Sequence, residues 1–253
     1  MSNSEVNNWQ YWKERSYYQR ELRDRALGLL PEMESAKQIA RLVGGQYRDG
    51  DRILDAGCGT GHYILSLQKH LGKNFAYTGV DLTQQHISDA RRIFSDYPHY
   101  TFLEGDVRSL PFAAGEFDIT ICCNTIPHVP RAAQALRELA RVTRKMLLVR
   151  MLVGDQVLIT KTAFTTTTGE DGEPSEFAYN NIYTRDFVAG AIGGRIEDLE
   201  FLPPHYDEAS IRAHFERHSK DAGASWTTRI IDGCQVKGYL ILPWMIVRMV
   251  RNV

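Results

Sequence analysis

The sequence predicts an α/β protein built on a doubly wound, mostly parallel sheet. Three observations carry that expectation. Short aliphatic runs alternate with stretches of helical spacing from about residue 52 to residue 153, a glycine-rich turn follows the first of those runs, and acidic residues recur just past the ends of successive runs. At 253 residues the chain is long enough for a single α/β domain that folds without disulfides or metal. Its 43% hydrophobic and 24% charged residues are those of a globular protein and exclude wholesale disorder.

The elements follow in order. Residues 11–30 mix Trp12, Tyr17, Tyr18, Leu22, Leu29 and Leu30 with charges of alternating sign, the pattern of an amphipathic helix. A second helix is expected over 34–43, where Ile39, Leu42 and Val43 keep helical spacing and Gly44 supplies a stop. Residues 52–54 read as the first strand. Ile64, Leu67 and Leu71 mark one face of a helix closed by Gly72, and 76–80 form the second strand, ending at Asp81. Thr83 is placed to cap a helix carrying Ile87, Ala90 and Phe94. Residues 100–103 and 117–122 are further strands. A helix over about 131–144, with Ala132, Leu136, Leu139 and Ala140 on one face, feeds the apolar run 146–153, MLLVRMLV, as a strand covered on both sides requires. Five strands with short or helical crossovers make a parallel sheet with helices on both faces.

Beyond residue 153 the pattern is looser. Residues 154–180 hold the run Thr165 to Thr168 and the stretch GEDGEPSE, a loop or hairpin tip. Helices are expected over 184–191 and 210–218, and strands over 195–202 and 236–242, the last followed by a short C-terminal helix. The apolar C-terminus, LILPWMIVRMVRN, reads either as an edge strand with a core-packing helix or as a patch for a homodimer partner or a membrane surface.

Several function classes are disfavoured at this point. Thirty basic against 31 acidic residues argue against binding nucleic acid by bulk charge. The polar N-terminus is no secretory signal, and the longest apolar stretch, YLILPWMIV, is too short to span a membrane. The four cysteines show neither zinc-site nor disulfide spacing, so no metal is expected and a cytoplasmic location is.

The sharpest feature is RILDAGCGTGHY, with Gly57, Gly59 and Gly61 between a strand and a helix. Glycines let the chain turn tightly and let a ligand approach the backbone, while the amides at the start of the helix face whatever binds. A dinucleotide fingerprint would need its third glycine where His62 stands. Asp55 precedes the loop, Asp81 lies twenty residues past Gly61 at the end of the next strand, and Asp106 follows the third strand. Carboxylates at adjacent strand ends lie where open α/β sheets bind ligands. Three of them would repel a pyrophosphate and would suit a nucleoside bearing a cationic centre and a free amine.

On LDAGCGTG, GVD, GDVRSLPF and FDITICCNTIPHVP, the chain resembles the class I S-adenosylmethionine-dependent methyltransferases of the small-molecule type over about residues 50–153. The resemblance implies a Rossmann-like sheet of about seven strands, with residues 46–153 as the cofactor-binding core. Residues 1–45 would form a helical lid, with Tyr18 on the cofactor, and 154–253 would complete the sheet and carry acceptor-specific insertions. It implies that Gly57, Gly59 and Gly61 meet the methionine part of the cofactor and that Asp55 helps hold its amine. Asp81 would take the ribose hydroxyls, Leu82 would pack on adenine, Asp106 and Val107 would meet the adenine edge, and Asn124 would offer its backbone carbonyl.

A hydroxyl or amine acceptor must lose a proton, and His128, just after the fourth strand, is the candidate base; its alternative role is to shape the pocket. The tetrapeptide Asn-Thr-Ile-Pro at 124–127 departs from the N-P-P-Y-like motif of methyltransferases that modify bases or glutamine amides, which lowers nucleic acid as a substrate. Tyr179, Asn180 and Tyr183 are candidate acceptor contacts on a loop after the fifth strand. The rival readings are a nicotinamide-dependent oxidoreductase on the same sheet and a non-catalytic S-adenosylmethionine-binding protein.

Overall fold

A computed structural model describes residues 16–163, 168, 172–174, 177–205, 228–231, 234–237 and 240–251. Helix α1 (Ser16–Ala26) and helix α2 (Glu34–Gly44) precede the sheet. Strand β1 (Arg52–Ala56), helix α3 (Ile64–Leu71), strand β2 (Ala76–Asp81), helix α4 (Gln84–Ile93) and strand β3 (Tyr100–Glu104) form the first half of the winding. Strand β4 (Phe117–Cys123), helix α5 (Ala132–Val142) and strand β5 (Thr143–Leu152) form the second. These elements match the sequence expectation closely, because each buried face carries its own periodic signal.

After β5 come strands β6 (Lys161–Ala163) and β7 (Phe177–Tyr179), paired antiparallel, so the expected loop or hairpin tip is a hairpin. Helix α6 (Arg185–Ile192) then leads through a 3₁₀ turn at Ile196–Asp198 into strand β8 (Leu199–Leu202). The strand expected from residue 195 therefore starts four residues later. The helix expected over 210–218 lies outside the described residues. Strands β9 (Thr228–Ile231), β10 (Cys234–Lys237) and β11 (Leu240–Leu242) form a separate antiparallel sheet.

The C-terminal helix is a correction. Residues Trp244–Val250 are strand β12, hydrogen-bonded on one side to β5 and on the other to β8. Pro243 lacks an amide hydrogen and breaks the apolar run between β11 and β12. Ile246 and Val247 are β-branched, point to opposite faces of the sheet and are both buried. The apolar C-terminus thus divides into β11, an edge strand of the small sheet, and β12, an interior strand of the main sheet where a packing helix was expected.

The main sheet has seven strands in the order β3-β2-β1-β4-β5-β12-β8. The first five are mutually parallel, and β12 runs antiparallel between β5 and β8. One apolar layer, built on Leu54, Leu136, Leu139, Val149 and Val247, covers one face; a second, with Ile39, Ile53, Ile64, Tyr77 and Leu148, covers the other. β4 is buried at every position, Asp118 and Thr120 included, as a strand covered on both faces must be. Strand order reverses at β1 and β4, and the loops leaving their C-terminal ends define the crevice where such sheets bind ligands.

Candidate functional site

The glycine loop leaves β1 and is tied at once to β2, since the amides of Gly57 and Cys58 both donate to the Val80 carbonyl at 2.7 and 3.0 Å. Gly57 has φ +83°, and a Cβ there would come within 2.9 Å of Thr125 Cβ. The loop after β1 and the loop after β4 therefore touch, and only glycine permits it. Gly61 has a different task. A Cβ on it would crowd Ile64 and Phe94, so it lets α3 settle on the sheet behind the crevice.

Asp81 closes β2. One of its carboxylate oxygens accepts the Gly59 amide at 2.9 Å; the other accepts the Thr83 amide at 2.8 Å and faces His86 Nδ1 at 3.2 Å. A carboxylate only accepts, so His86 donates to it from Nδ1. Its Nε2 is buried with no hydrogen-bond partner among the described residues. Burial acts to raise the Asp81 pKa, but the contacts from His86, Thr83 and Gly59 together bring it below the usual carboxylate value.

Asp55 lies deeper, 1% exposed, and accepts the Tyr77 hydroxyl at 2.8 Å. Burial lifts its pKa to about 7 against the Tyr77 hydrogen bond, and the charge of Asp81 adds to the rise. His62 is driven the other way, to about 3, first by burial and then by the nearby charge of Arg25. It is therefore a neutral ring, and its Nδ1 also lacks a partner among the described residues.

These residues surround a cleft of about 700 Å³, counting the space at its solvent-open mouth. Eight of the residues singled out in the sequence line it: Gly57, Gly59, Asp81, Leu82, Asp106, Val107, Asn124 and His128. Asp55, Gly61, Tyr179, Asn180 and Tyr183 are not part of that lining. The Tyr18 backbone lies in the first turn of α1, its side chain is outside the described residues, and so is Trp12; Leu22, one turn further along α1, does line the cavity. Asp106 is held by Arg108, whose guanidinium grips both carboxylate oxygens with the shortest contact at 2.6 Å.

At the far end, Asn124 adopts φ +61°, a left-handed conformation asparagine tolerates, and its side-chain oxygen accepts from Arg150 Nη1. His128 ends a 3₁₀ turn, Ile126–His128, and its Nδ1 lies 2.6 Å from the Tyr179 carbonyl. The Asn181 amide donates to the Pro127 carbonyl at 2.9 Å. The 179–181 backbone therefore clamps the histidine turn. Tyr183 is buried against Phe187, ring centroids 4.5 Å apart, and its hydroxyl accepts from Asn181.

Sequence reasoning missed the cavity residues Leu22, His62, Thr83, His86, Gly105, Cys123 and Thr125 as contacts. A signal existed for His86, a polar residue on the apolar face that α4 builds from Ile87 and Ala90. Two buried histidine nitrogens without partners among the described residues, on a wall with an ionised carboxylate, fit the hydroxyls and amines of a nucleoside, which can act as hydrogen-bond partners to them.

Residues 53–146 match the family model described as a methyltransferase domain. A demethylmenaquinone methyltransferase of Staphylococcus saprophyticus is 31% identical over 97 residues, 38% of this chain and 42% of that protein. An uncharacterised 37.1 kDa protein in transposon TN4556 of Streptomyces fradiae is 34% identical over 97 residues, 38% of this chain and 28% of its own. The chain thus spans less than half the length of either relative. Among solved structures, the N-terminal domain of EvdMO1 with SAH bound superposes with a TM-score of 0.53 at 16% identity, over 92% of this chain and 97% of that one, a likeness of fold. Among the described residues no helix is long and apolar enough to cross a membrane. The domain match and the sheet order agree with the geometry of the loop: residues 53–146 form a class I methyltransferase domain whose cofactor is S-adenosylmethionine.

Proposed function

We propose that this chain transfers the methyl group of S-adenosylmethionine to a hydroxyl or amine of a small molecule, with His128 as general base. The observation that carries the reading is the 2.6 Å contact between His128 Nδ1 and the Tyr179 carbonyl, on the wall of the cavity. A carbonyl can only accept, so Nδ1 holds the hydrogen, and the basic lone pair of the neutral ring is on Nε2. The same bond orients the ring, as a second partner orients a catalytic histidine elsewhere.

When bound, S-adenosylmethionine supplies an electrophilic methyl group on a positively charged sulfur. Asp81 would hold the ribose hydroxyls, with His86 Nε2 as a further hydrogen-bond partner beside it. Leu82, Val107 and Asp106 would enclose the adenine, Gly57 and Gly59 would bring the backbone against the methionine part, and Asn124 would offer its carbonyl there. Gly61 supports this from behind, and Asp55 acts on the amine from beneath the loop. His128 Nε2 would take the proton that the acceptor gives up. α1 would serve as a lid over the cavity, with Leu22 on its inner side and Tyr18, from its first turn, as a proposed cofactor contact, and Tyr179, Asn180 and Tyr183 shape the acceptor end through the clamp on the histidine turn. Tyr179 and Tyr183 do so mainly through packing and backbone. A cytoplasmic location suits such an acceptor, and near-neutral charge disfavours nucleic acid in that role.

Incubating the protein with methyl-labelled donor and a metabolite extract is the direct test, read as label in a small-molecule product. Calorimetry with S-adenosylhomocysteine, NAD and NADP is its companion. Binding of the nicotinamides alone would replace this reading with an oxidoreductase. Tight binding of S-adenosylhomocysteine with no label transferred to any fraction would leave a cofactor-binding protein without catalysis.

A further inference from the structure

Arg150 stands inside the apolar run of β5 and is 8% exposed. Its register partners are Cys123 on β4 and Ile246 on β12, so it lies at the C-terminal end of the sheet, one strand beyond Asn124. The Trp244 ring covers its guanidinium at 4.1 Å, and Trp244 is itself fixed by a 2.8 Å hydrogen bond from its indole nitrogen to Gln235. One guanidinium nitrogen donates to the Asn124 side-chain oxygen. Among the described residues no carboxylate pairs with this cation. The neighbours it acts on electrostatically are Tyr63 and Cys123, and burial keeps both of them protonated and neutral. Asp55 sits two strands away, and its ionisation answers to burial, Tyr77 and Asp81.

A buried cation with no counter-charge is costly, and most of the five donors of this one are left over from the single bond to Asn124. The planar, aromatic-backed fork matches a carboxylate, which it can bind through two parallel hydrogen bonds. Its place along the sheet edge says where such an anion would arrive. Asp106 follows β3, Asp81 ends β2, Gly57 follows β1, Asn124 follows β4, and Arg150 is next, in β5. The acidic residues gather at one end, and Arg150, the one buried Lys or Arg among the described residues, stands at the other.

We propose that Arg150 is a carboxylate-binding residue of this site. It grips a carboxylate presented beside Asn124, and two molecules can bring one there: the amino-acid end of the cofactor or a carboxylate on the methyl acceptor. The proposal rests on the methyltransferase reading for the ligands it names. Asn124, which lines the cavity, and Trp244 act as positioning residues for the fork, which stands behind that lining.

The experiment is calorimetry on the full chain, wild type, Arg150→Gln and Arg150→Lys. The first series compares S-adenosylhomocysteine, its methyl ester and 5′-methylthioadenosine, which shares the nucleoside and thioether but has no amino-acid end. The second titrates benzoate and its neutral isostere benzamide into protein saturated with S-adenosylhomocysteine. If the cofactor brings the carboxylate, wild type prefers the acid to the ester by about tenfold or more, and Arg150→Gln abolishes that preference without changing methylthioadenosine affinity. If the acceptor brings it, the first series is unchanged by substitution, while benzoate binds wild type and not Arg150→Gln, and benzamide binds neither. Arg150→Lys keeps the charge without the fork and should fall between. Equal affinity of acid and ester together with no benzoate binding in wild type overturns the proposal without reliance on any variant. Failure of both nucleosides to bind wild type would sink the methyltransferase reading instead, and the benzoate–benzamide contrast on ligand-free protein would still decide Arg150.

Discussion

One carboxylate oxygen of Asp81 accepts the amide of Gly59 at 2.9 Å, so the residue that ends β2 also fixes the tip of the glycine loop that leaves β1. The two features were legible separately in the sequence as a strand-end acid and a glycine turn. Their bond makes them one unit: whatever the acid holds is held in register with the loop.

Asp81→Ala should therefore have two effects. S-adenosylhomocysteine affinity should fall at least about tenfold, because the ribose hydroxyls lose an ionised acceptor whose hydrogen bonds contribute roughly 1.5–3 kcal/mol each. The ligand-free protein should also melt earlier, because the Gly59 and Thr83 amides lose their acceptor. Calorimetry and thermal melts separate the two, and unchanged affinity in a folded variant would misplace the nucleoside.

His86 is expected to extend the pH range over which Asp81 works. Its hydrogen bond is the foremost of the contacts that hold the Asp81 pKa low against burial. Binding that needs the ionised carboxylate persists above that depressed pKa and is lost as pH falls through it. In His86→Phe the pKa rises, so affinity for S-adenosylhomocysteine should begin to fall at a higher pH than in wild type. Parallel pH curves for the two proteins would show that His86 only fills space.

Asp55 runs opposite to the usual acid. Its folded pKa, about 7, lies above its ordinary value of 3.8, so the folded state binds the proton more tightly than the unfolded chain. The penalty for ionising it grows as pH rises from about 4 and is complete above about 7. Asp55→Asn, which still accepts from Tyr77, should stabilise the ligand-free protein by a few kcal/mol at pH 8 and by almost nothing at pH 4. Denaturant titrations at the two values decide it. A stabilisation that does not change with pH would mean that Asp55 is not the titrating group.

The winding from β1 to β5 was legible because each element buries one face and writes that face in its spacing. The glycine loop and its three acids were legible because their chemistry dictates residue type. The parts that escaped depend on distant partners. β12 pairs with residues about a hundred positions earlier, and nothing local in Trp244–Val250 distinguishes that strand from an apolar helix. Strands β6 and β7 are three residues each, too short to show alternation, yet their hairpin is what reaches His128. Arg150 was hidden by its own strand, one cation in MLLVRMLV, and becomes conspicuous only because no carboxylate among the described residues pairs with it.

The last expectation separates proton abstraction from mere placement. If His128 is the base, His128→Ala should leave S-adenosylhomocysteine affinity nearly intact and lower turnover by about 10²–10⁴. The wild-type rate should fall on the acid side as the imidazole takes up a proton, and that limb should vanish in the variant. His128→Gln is the sharper control, since its side-chain amide can still donate to the Tyr179 carbonyl and keep the turn clamped, but it cannot accept a proton at neutral pH. A clamp role alone predicts that glutamine restores most of the activity lost with alanine. A base predicts that it restores almost none, with added imidazole recovering part of the rate in the alanine variant through the vacated space. The contrast requires an acceptor whose proton is still in place at the working pH, because a group already ionised needs no base and would make all three proteins alike except for alignment.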